Sequence, residues 1–364
     1  MAENLGLHKK PETTPERAQF YAKLDPLSLA PLWDRLSDIV TREPHVRAKP
    51  HIWKYDADVR PLLMSTASLI TAEEAERRVL ILENPSLKGQ TAVSDALFAG
   101  LQLIMPGEIA PTHRHSPAAL RFIVEGEGAY TSINGEKTPM AVGDLILTPS
   151  MVWHDHGNEG ASPVVWLDGL DLPTVKFLGP MFAELYNGGE LYPPGRPAYD
   201  NMSRYGANLL PIGAKFDTEN SPVFHYPYKD TKQALLNIQK AGEIDPCHGI
   251  KMRYVNPVNG GPVMATIDCY MQLLPKGLVT EKLQSSAAWI YSVAEGTGKT
   301  IVGDTTIGWG PRDVFVVPGW YPHHHEADGD AFLFNFTDMM IQEKLGLYRE
   351  RRGDMTHPWK SAPD

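Results

Sequence analysis

Two stretches of the chain resemble each other about 170 residues apart, and this internal repeat constrains the fold more than any other feature. Residues 124–128 (Val-Glu-Gly-Glu-Gly) return as 294–298 (Ala-Glu-Gly-Thr-Gly), and 144–149 return as 313–318. Around them lie short apolar runs that end in Gly, Pro or Asn-Gly, a pattern typical of strands joined by tight turns. The sequence therefore predicts two jelly-roll β-barrels in one chain.

We expect an all-β protein with helical arms, in five segments. These are an N-terminal helical arm with a barrel edge (1–95), a first barrel with the functional site (96–172), a connector (173–250), a second, structural barrel (251–340) and a C-terminal tail (341–364). Thr14-Pro15 can start a helix, which Pro26 and Pro31 should interrupt, and another helix is predicted near 231–240. The arm can dock on a neighbouring subunit or pack on its own domain.

Charge and cysteine content narrow the class of protein. The chain has 364 residues, with 34 Lys and Arg against 44 Asp and Glu, which gives a net charge of −10. A protein with this negative net charge is expected to bind poorly to nucleic acid or to an anionic membrane surface. Its two cysteines cannot build a disulfide framework, and its first residues contain no apolar core of a signal peptide. We therefore expect a cytoplasmic protein with no nucleic-acid or membrane partner.

Four of the 13 histidines form two His-x-His pairs, His113 with His115 and His154 with His156. Both pairs fall on predicted strands of the first barrel, where residues two apart share a face. One pair and a third histidine from a paired strand can surround one divalent ion, and imidazole suits zinc, iron, copper and nickel. Ordinary core or surface histidines are the alternative, and they explain one such residue better than two pairs.

The spacing of these residues resembles the two sequence motifs of the cupin superfamily. The first matches at Gly107, His113, His115 and Gly126, and the second at Gly143, Pro149, His154 and Asn158. Ala119 stands where cupins usually carry a glutamate ligand. A site of three histidines leaves the charge of a divalent ion unneutralised, and it should favour an anionic substrate that chelates the metal through two oxygens.

A closer resemblance is to the gentisate 1,2-dioxygenase family, which includes salicylate and 1-hydroxy-2-naphthoate dioxygenases. It rests on the segments 50–54, 76–78, 84–85, 113–128, 166–171, 253–257 and 260–261. The resemblance implies a bicupin fold, one Fe(II) per subunit in the N-terminal barrel, and a homotetramer. It also implies insertion of both atoms of O2 into the ring of an aromatic hydroxy acid, which converts gentisate to maleylpyruvate.

The same resemblance assigns roles to individual residues. The iron ligands would be His113, His115 and His154. Substrate-binding residues would be Gln102, Arg121, His156, Asp168 and Arg77, with His156 and Arg121 also acting in catalysis. An arginine inside an apolar strand needs an anion, and a carboxylate binds it through two hydrogen bonds. Gln102 can face the pocket or solvent. Asp168 can fix a histidine tautomer or cap a turn.

The second barrel departs from the metal-binding pattern. His323-His324-His325 resembles a metal site in isolation, but Leu283 and Ser285 occupy the positions of the paired histidines. We therefore expect a structural barrel without metal. A makeshift site formed by the histidine run and Glu281 is the alternative.

Other functions remain open at this point. A salicylate or hydroxynaphthoate dioxygenase differs in the acid it accepts, and Phe98 stands where some relatives carry Trp or Tyr. A cupin isomerase would consume no O2 with aromatic acids. A cupin binding or storage protein would convert no substrate. That function would not explain why the glutamate is missing or why Arg121 lies in an apolar strand.

Overall fold

The computed structural model describes residues 11–41, 43–189, 191–207, 209–215 and 219–361. The chain forms two compact units, residues 1–46 and residues 47–364. In the first unit, α1 (Pro15–Leu24) begins as predicted, because the Thr14 hydroxyl accepts a hydrogen bond from the backbone N–H of Arg17, the third residue of the helix, at 3.3 Å. A 3₁₀ turn and Pro31 separate it from α2 (Leu32–Ile39), so the predicted interruptions are also confirmed.

The second unit contains short helices between and beside its strands. They are α3 (Arg60–Leu69), α4 (Ala72–Ala75), α5 (Leu172–Leu178), α6 (Asp200–Tyr205), α7 (Tyr228–Ala241) and α8 (Met339–Lys344). The predicted helix near 231–240 corresponds to α7. Within the described ranges, every helix is too short or too polar to cross a membrane.

Strands make up most of the second unit. In chain order they are β1 (His51–Trp53), β2 (Arg78–Ile81), β3 (Phe98–Ile104), β4 (Ile109–His115), β5 (Ala119–Glu125), β6 (Ala129–Ile133), β7 (Glu136–Pro139), β8 (Leu145–Thr148), β9 (His154–Asn158), β10 (Val164–Leu170) and β11 (Ala183–Leu185). They continue as β12 (His225–Tyr226), β13 (Ile250–Arg253), β14 (Asp268–Leu274), β15 (Leu283–Ser285), β16 (Trp289–Glu295), β17 (Gly298–Val302), β18 (Thr305–Trp309), β19 (Val314–Val317), β20 (His323–Ala327), β21 (Ala331–Thr337) and β22 (Glu350–Arg352).

The strands form two antiparallel jelly-roll barrels, as predicted. The first barrel consists of the sheets β12-β8-β5-β10-β3-β2 and β11-β4-β9-β6-β7. The second consists of the sheets β1-β19-β16-β21-β14-β13 and β18-β17-β20-β15-β22. The Asn134-Gly135 turn joins β6 to β7, and both turn residues have positive φ, 48° and 79°, which the hairpin requires. The predicted all-β class with helical arms is confirmed.

Each barrel includes a strand from the opposite half of the chain. β1 precedes the first barrel but pairs with β19 of the second. β12 precedes the second barrel but pairs with β8 of the first. Each crossing strand leads into a helix, α3 or α7, which buries one leucine completely, Leu63 or Leu235. The internal repeat therefore includes this crossing as well as the barrels.

The residues that follow each crossing strand, β1 or β12, are bound by carboxylates at equivalent positions of the repeat. Asp313 accepts from the Tyr55 backbone N–H at 2.9 Å, and Asp144 accepts from the Tyr228 backbone N–H at 2.8 Å. The Tyr55 hydroxyl donates to Glu125 at 2.9 Å. In the same way the Tyr228 hydroxyl donates to a glutamate at the end of β16, at 2.8 Å. Each tyrosine segment thus binds both barrels at once.

The two barrels also share an apolar core. Phe122 of the first barrel stacks on Phe334 of the second, with ring centroids 4.3 Å apart and planes within 3° of parallel. On β5, β10, β14 and β21, the apolar side chains that face the other barrel belong to one buried cluster. Because this cluster is continuous, the barrels are expected to unfold together.

A buried lysine lies inside the second barrel among aromatic rings. The ammonium of Lys251 is buried, has no hydrogen-bond partner among the described residues, and lies 3.5 Å from the ring centroid of Trp289. The ring centroid of Tyr270 lies 4.8 Å from it. Burial lowers the pKa of Lys251 to about 7, although the negative charge of Glu350 acts in the opposite direction.

Replacing Asp144 or Asp313 with alanine should lower the free energy of unfolding by about 2 kcal/mol, because each change leaves a backbone N–H without its acceptor. Urea unfolding of the variants measures this loss. Asp328→Ala removes an exposed carboxylate of the second barrel and should change stability by less than about 0.5 kcal/mol. If all three variants unfold alike, the crossing segments are not fastened by these carboxylates.

Replacing Lys251 with methionine should change how stability depends on pH. The pKa of Lys251 is lower in the folded than in the unfolded chain, so the parent protein gains stability as pH rises from about 7 to about 10. The stability of Lys251→Met relative to the parent should therefore be greatest near pH 7 and shrink toward pH 10, measured by urea unfolding at each pH. Lys299→Met, at an exposed lysine of the same barrel, should show no such trend; an equal trend there would contradict the assignment.

Candidate metal centre

Three histidine side chains meet inside the first barrel. His113 and His115 lie two residues apart on β4, which places both rings on one face of the strand. β9 runs antiparallel to β4 and pairs His154 with His113. The ring centroids lie 4.2 Å apart for His113–His154, 4.9 Å for His115–His154 and 5.6 Å for His113–His115. One nitrogen from each ring falls within 4.8 Å of the other two, a spacing that fits a single metal ion.

Backbone carbonyls orient all three rings. The Nδ1–H groups donate to carbonyl oxygens two residues away, at 2.9 Å for His113–Pro111, 2.8 Å for His115–Pro117 and 2.9 Å for His154–Val152. Because a carbonyl can only accept, the hydrogen of each neutral ring is on Nδ1, and Nε2 keeps its lone pair. Nε2 of His113 and of His154 is buried and has no hydrogen-bond partner among the described residues. These rings are prepared to bind a metal through Nε2.

Burial keeps the three rings neutral. It lowers the pKa of His113 to about 3 and that of His115 to about 4, and it holds the pKa of His154 well below its usual value. The positive charge of Arg77 lowers the pKa of His113 and His115 further. At neutral pH no proton therefore competes with a metal for these nitrogens.

The metal-type cluster found in the described residues contains histidines and no carboxylate. Ala119, at the position of the usual glutamate ligand, is buried in β5 opposite Thr148. Asp155 lies next to His154 in the sequence, but its carboxylate accepts a hydrogen bond from the Thr112 hydroxyl at 2.9 Å. A divalent ion at this site would keep its positive charge, because no protein carboxylate among the described residues is present there to neutralise it.

A buried arginine lies close to the histidines. Arg121 on β5 is 2% exposed, and its Nη1 donates to the Thr148 hydroxyl at 2.5 Å. Its Nε lies 3.5 Å from a carboxylate oxygen of Asp168 and has no hydrogen-bond partner among the described residues. Burial lowers the pKa of Arg121 to about 10, so the guanidinium is charged at neutral pH, and its charge also lowers the pKa of His154.

Asp168 is paired with this arginine and not with a histidine. It lies within β10, directly opposite Arg121 of β5, and it also accepts from the Trp166 indole N–H at 3.0 Å. Both expectations from the sequence, a histidine partner or a turn cap, are wrong, because they ignored the register between strands that are distant in sequence. Burial raises the pKa of Asp168 to about 6, which leaves it ionised at neutral pH.

Gln102 and Arg77 complete the polar residues near the metal ligands. Gln102 is 3% exposed and lies opposite Trp166, so it faces the interior and not solvent. Arg77 is partly buried, and burial lowers its pKa while Asp168 raises it. The positive charges of two arginines thus act on one carboxylate, and the surplus positive charge suits an anionic ligand. Phe98, also buried, begins the same strand as Gln102.

The fourth histidine of the two pairs stands apart from the cluster. His156 is fully buried, and its ring centroid lies 5.6 Å from that of His154 and 5.4 Å from that of Trp166. Its Nδ1 lies 2.9 Å from the Thr131 hydroxyl, and its Nε2 is buried without a partner among the described residues. Burial holds the pKa of His156 well below its usual value, and Arg121 lowers it further.

Sequence reasoning missed the hydroxyl groups that hold these side chains. Thr148, which binds Arg121, carries no signal beyond its place before Pro149. Thr131, which contacts His156, had a usable signal, because Thr300 occupies the equivalent place in the second barrel and contacts His325 at 2.8 Å.

The second barrel keeps two histidines of the pattern without their partners. His323 and His325 are buried, and Leu283 lies directly opposite His323, as the sequence predicts. Glu281 is exposed and does not join them. Within the described ranges, the residues that cluster as metal ligands lie in the first barrel.

Comparison with known proteins identifies the family to which this chain is related. A model described as Cupin domain matches residues 100–170. The chain is 51% identical to "Gentisate 1,2 dioxygenase 1" of Aquipseudomonas alcaligenes over 94% of this chain and 99% of that protein. It is 41% identical to the 5-aminosalicylate 1,2-dioxygenase of Comamonas sp over 89% of this chain and 87% of that protein.

A solved structure agrees with both sequence comparisons. The salicylate 1,2-dioxygenase from Pseudoaminobacter salicylatoxidans, in a structure of its adducts with gentisate, superposes with a TM-score of 0.89 at 34% identity, covering 96% of this chain and 98% of that one. The bicupin architecture is thereby confirmed. The chain belongs to the gentisate 1,2-dioxygenase family of bicupin ring-cleaving dioxygenases.

Proposed function

We propose that this protein is an Fe(II)-dependent dioxygenase that opens the ring of gentisate (2,5-dihydroxybenzoate) with O2 and forms maleylpyruvate. The observation that carries the proposal is a three-histidine site without a carboxylate, beside a buried arginine. A relative that is 51% identical is named for gentisate, which supports this choice of acid. Salicylate and 1-hydroxy-2-naphthoate are the acids against which gentisate must be compared.

His113, His115 and His154 would hold one Fe(II) per subunit in the N-terminal barrel. The three rings suit Fe(II), because each is neutral and directs an Nε2 lone pair toward the same point. No ring therefore has to lose a proton when the metal binds. Ferrous iron bound there would supply vacant coordination positions and the electron transfer between an electron-rich ring and O2. The remaining tasks fall to the side chains around it.

Arg121 would bind the substrate carboxylate. Its guanidinium is desolvated, donates a hydrogen bond to Thr148 and lies beside the negative charge of Asp168, so a carboxylate can bind it without first ordering it. Arg77 adds a second positive charge to the same region, and Gln102 offers an amide from β3. This arrangement selects an anionic ring and fixes the edge that carries the carboxylate.

His156 would contact the hydroxyl group next to the carboxylate. Its ring is neutral, buried and close to both His154 and Arg121, and its Nε2 has no protein partner among the described residues. It can therefore hold the hydroxyl oxygen by a hydrogen bond while Arg121 holds the carboxylate. We assign the catalytic roles in the pocket to these two residues.

We further propose that the chain works in the cytoplasm as a homo-oligomer, a tetramer by analogy with the family. The helices α1 and α2 bury no residue, and they expose large apolar side chains such as Leu32 and Trp33. Cys247 and Cys269 are free thiols, which suits a reducing compartment. Sedimentation of the purified protein measures the number of subunits.

Replacing His154 with alanine should abolish retention of Fe(II), from about one ion per chain to less than about a tenth, because two imidazoles do not hold ferrous iron. His156→Ala should keep its iron and lose activity. His324→Ala, at a partly exposed position of the second barrel, should keep both. Iron content after gel filtration measures retention; a His154→Ala protein that keeps its iron would contradict the ligand assignment.

Oxygen uptake with gentisate, after reconstitution with Fe(II), tests the function directly, with product absorbance followed alongside. Uptake should match gentisate consumed mole for mole and exceed the rate with salicylate. No uptake with gentisate, salicylate or 1-hydroxy-2-naphthoate would leave an isomerase or a binding protein as the function.

Within this assay, Arg121→Met should raise KM for gentisate about 10- to 100-fold, because a charge-assisted contact is lost. Arg114→Met is the matched control, since Arg114 lies between the two ligands on β4 but stacks on Trp153 outside the metal cluster. Equal KM values for both variants would exclude Arg121 as the carboxylate site.

A further inference from the structure

The four histidines of the two His-x-His pairs differ in what faces Nδ1. For the three ligand histidines it is a backbone carbonyl, which can only accept a hydrogen bond. For His156 it is the Thr131 hydroxyl, at 2.9 Å, which can either donate or accept. The position of the hydrogen on the His156 ring is therefore decided by Thr131.

Hydrogen-bond counting favours one direction. Thr131 is fully buried, and the described residues give its hydroxyl no hydrogen-bond partner other than His156. Without a ligand, either direction leaves one hydrogen with no acceptor among the described residues: the hydroxyl hydrogen if Nδ1 donates, or the Nε2 hydrogen if the hydroxyl donates. An oxygen of the bound acid can accept the Nε2 hydrogen, so only the second direction gives every hydrogen an acceptor in the complex. In the complex the hydroxyl therefore donates to Nδ1, and the ring hydrogen is on Nε2.

The second barrel contains the same pair with one further contact to the hydroxyl. Thr300 lies opposite His325 across β17 and β20, as Thr131 lies opposite His156 across β6 and β9. The Trp309 indole N–H donates to the Thr300 oxygen at 2.9 Å, and the Thr300 hydrogen is then available to His325 Nδ1 at 2.8 Å. The contact is thus a property of the repeat, but only the first barrel places it beside metal ligands.

We propose that Thr131 is a positioning residue that fixes His156 with its hydrogen on Nε2, so that this histidine acts as a hydrogen-bond donor to the hydroxyl oxygen of the bound aromatic acid and not as a fourth metal ligand. This proposal rests on the proposed function. In the variant Thr131→Val the ring can place its hydrogen on either nitrogen.

Three variants separate this role from a structural one. Thr131→Val removes the hydroxyl and keeps the shape, Thr131→Ser restores the hydroxyl, and Thr300→Val removes the equivalent hydroxyl from the second barrel. Binding of gentisate is measured without turnover, on protein loaded with redox-inert Zn(II) in the absence of O2. Iron content, kcat and KM are measured on the Fe(II) protein, and thermal unfolding on all forms.

Thr131→Val should weaken anaerobic gentisate binding about 10-fold and lower kcat/KM about 10- to 100-fold at unchanged iron content. Thr131→Ser should stay within about 3-fold of the parent. Thr300→Val should match the parent in binding and kinetics, although it destabilises the fold at least as much as Thr131→Val, because Trp309 also loses its acceptor.

The proposal fails if Thr131→Val and Thr300→Val behave alike in binding and kinetics, or if Thr131→Val acts only through loss of iron. A parent protein that neither binds nor consumes gentisate would instead remove the proposed function, and with it this inference. The behaviour of the parent protein therefore shows which of the two proposals has failed.

Discussion

The exchange of strands between the two halves of the chain holds this structure together. β1 completes the sheet of the second barrel and β12 that of the first, so each barrel depends on a segment that precedes the other. Asp313 and Asp144 bind the backbone that follows each crossing strand, and the stacked rings of Phe122 and Phe334 close the interface. The strands that carry the histidine cluster thus belong to a barrel that is joined to the other barrel by these contacts.

Local signals allowed the sequence to predict many elements but not their partners. The Thr14 cap, the Asn134-Gly135 hairpin and the grouping of His113 with His115 each depend on residues close together, and the structure contains all of them. The crossing of β1 to β19 and the pairing of Asp168 with Arg121 depend on register between distant strands. No local pattern encodes that register. The exact domain boundaries and the roles of the pocket residues stay predictions.

The two barrels show how little change separates a metal site from a structural core. In the second barrel Leu283 faces His323, where the first pairs His113 with His154, and Tyr291 and Asn335 face each other where Arg121 and Asp168 do in the first. Aromatic rings around Tyr291 fill the interior. The threonine–histidine contact is present in both barrels, although within the described residues only the first barrel has the three-histidine cluster beside it.

The central claim is that three imidazoles bind one metal ion through Nε2 without a protein carboxylate. X-ray absorption of the Fe(II) protein, together with its iron content, measures this most directly. We expect about one iron per chain, three imidazole nitrogens in its shell and oxygen ligands that gentisate displaces in the absence of O2. Fewer than three imidazoles around the iron would contradict the account. So would an oxygen ligand that gentisate does not displace, because a protein carboxylate would behave in this way.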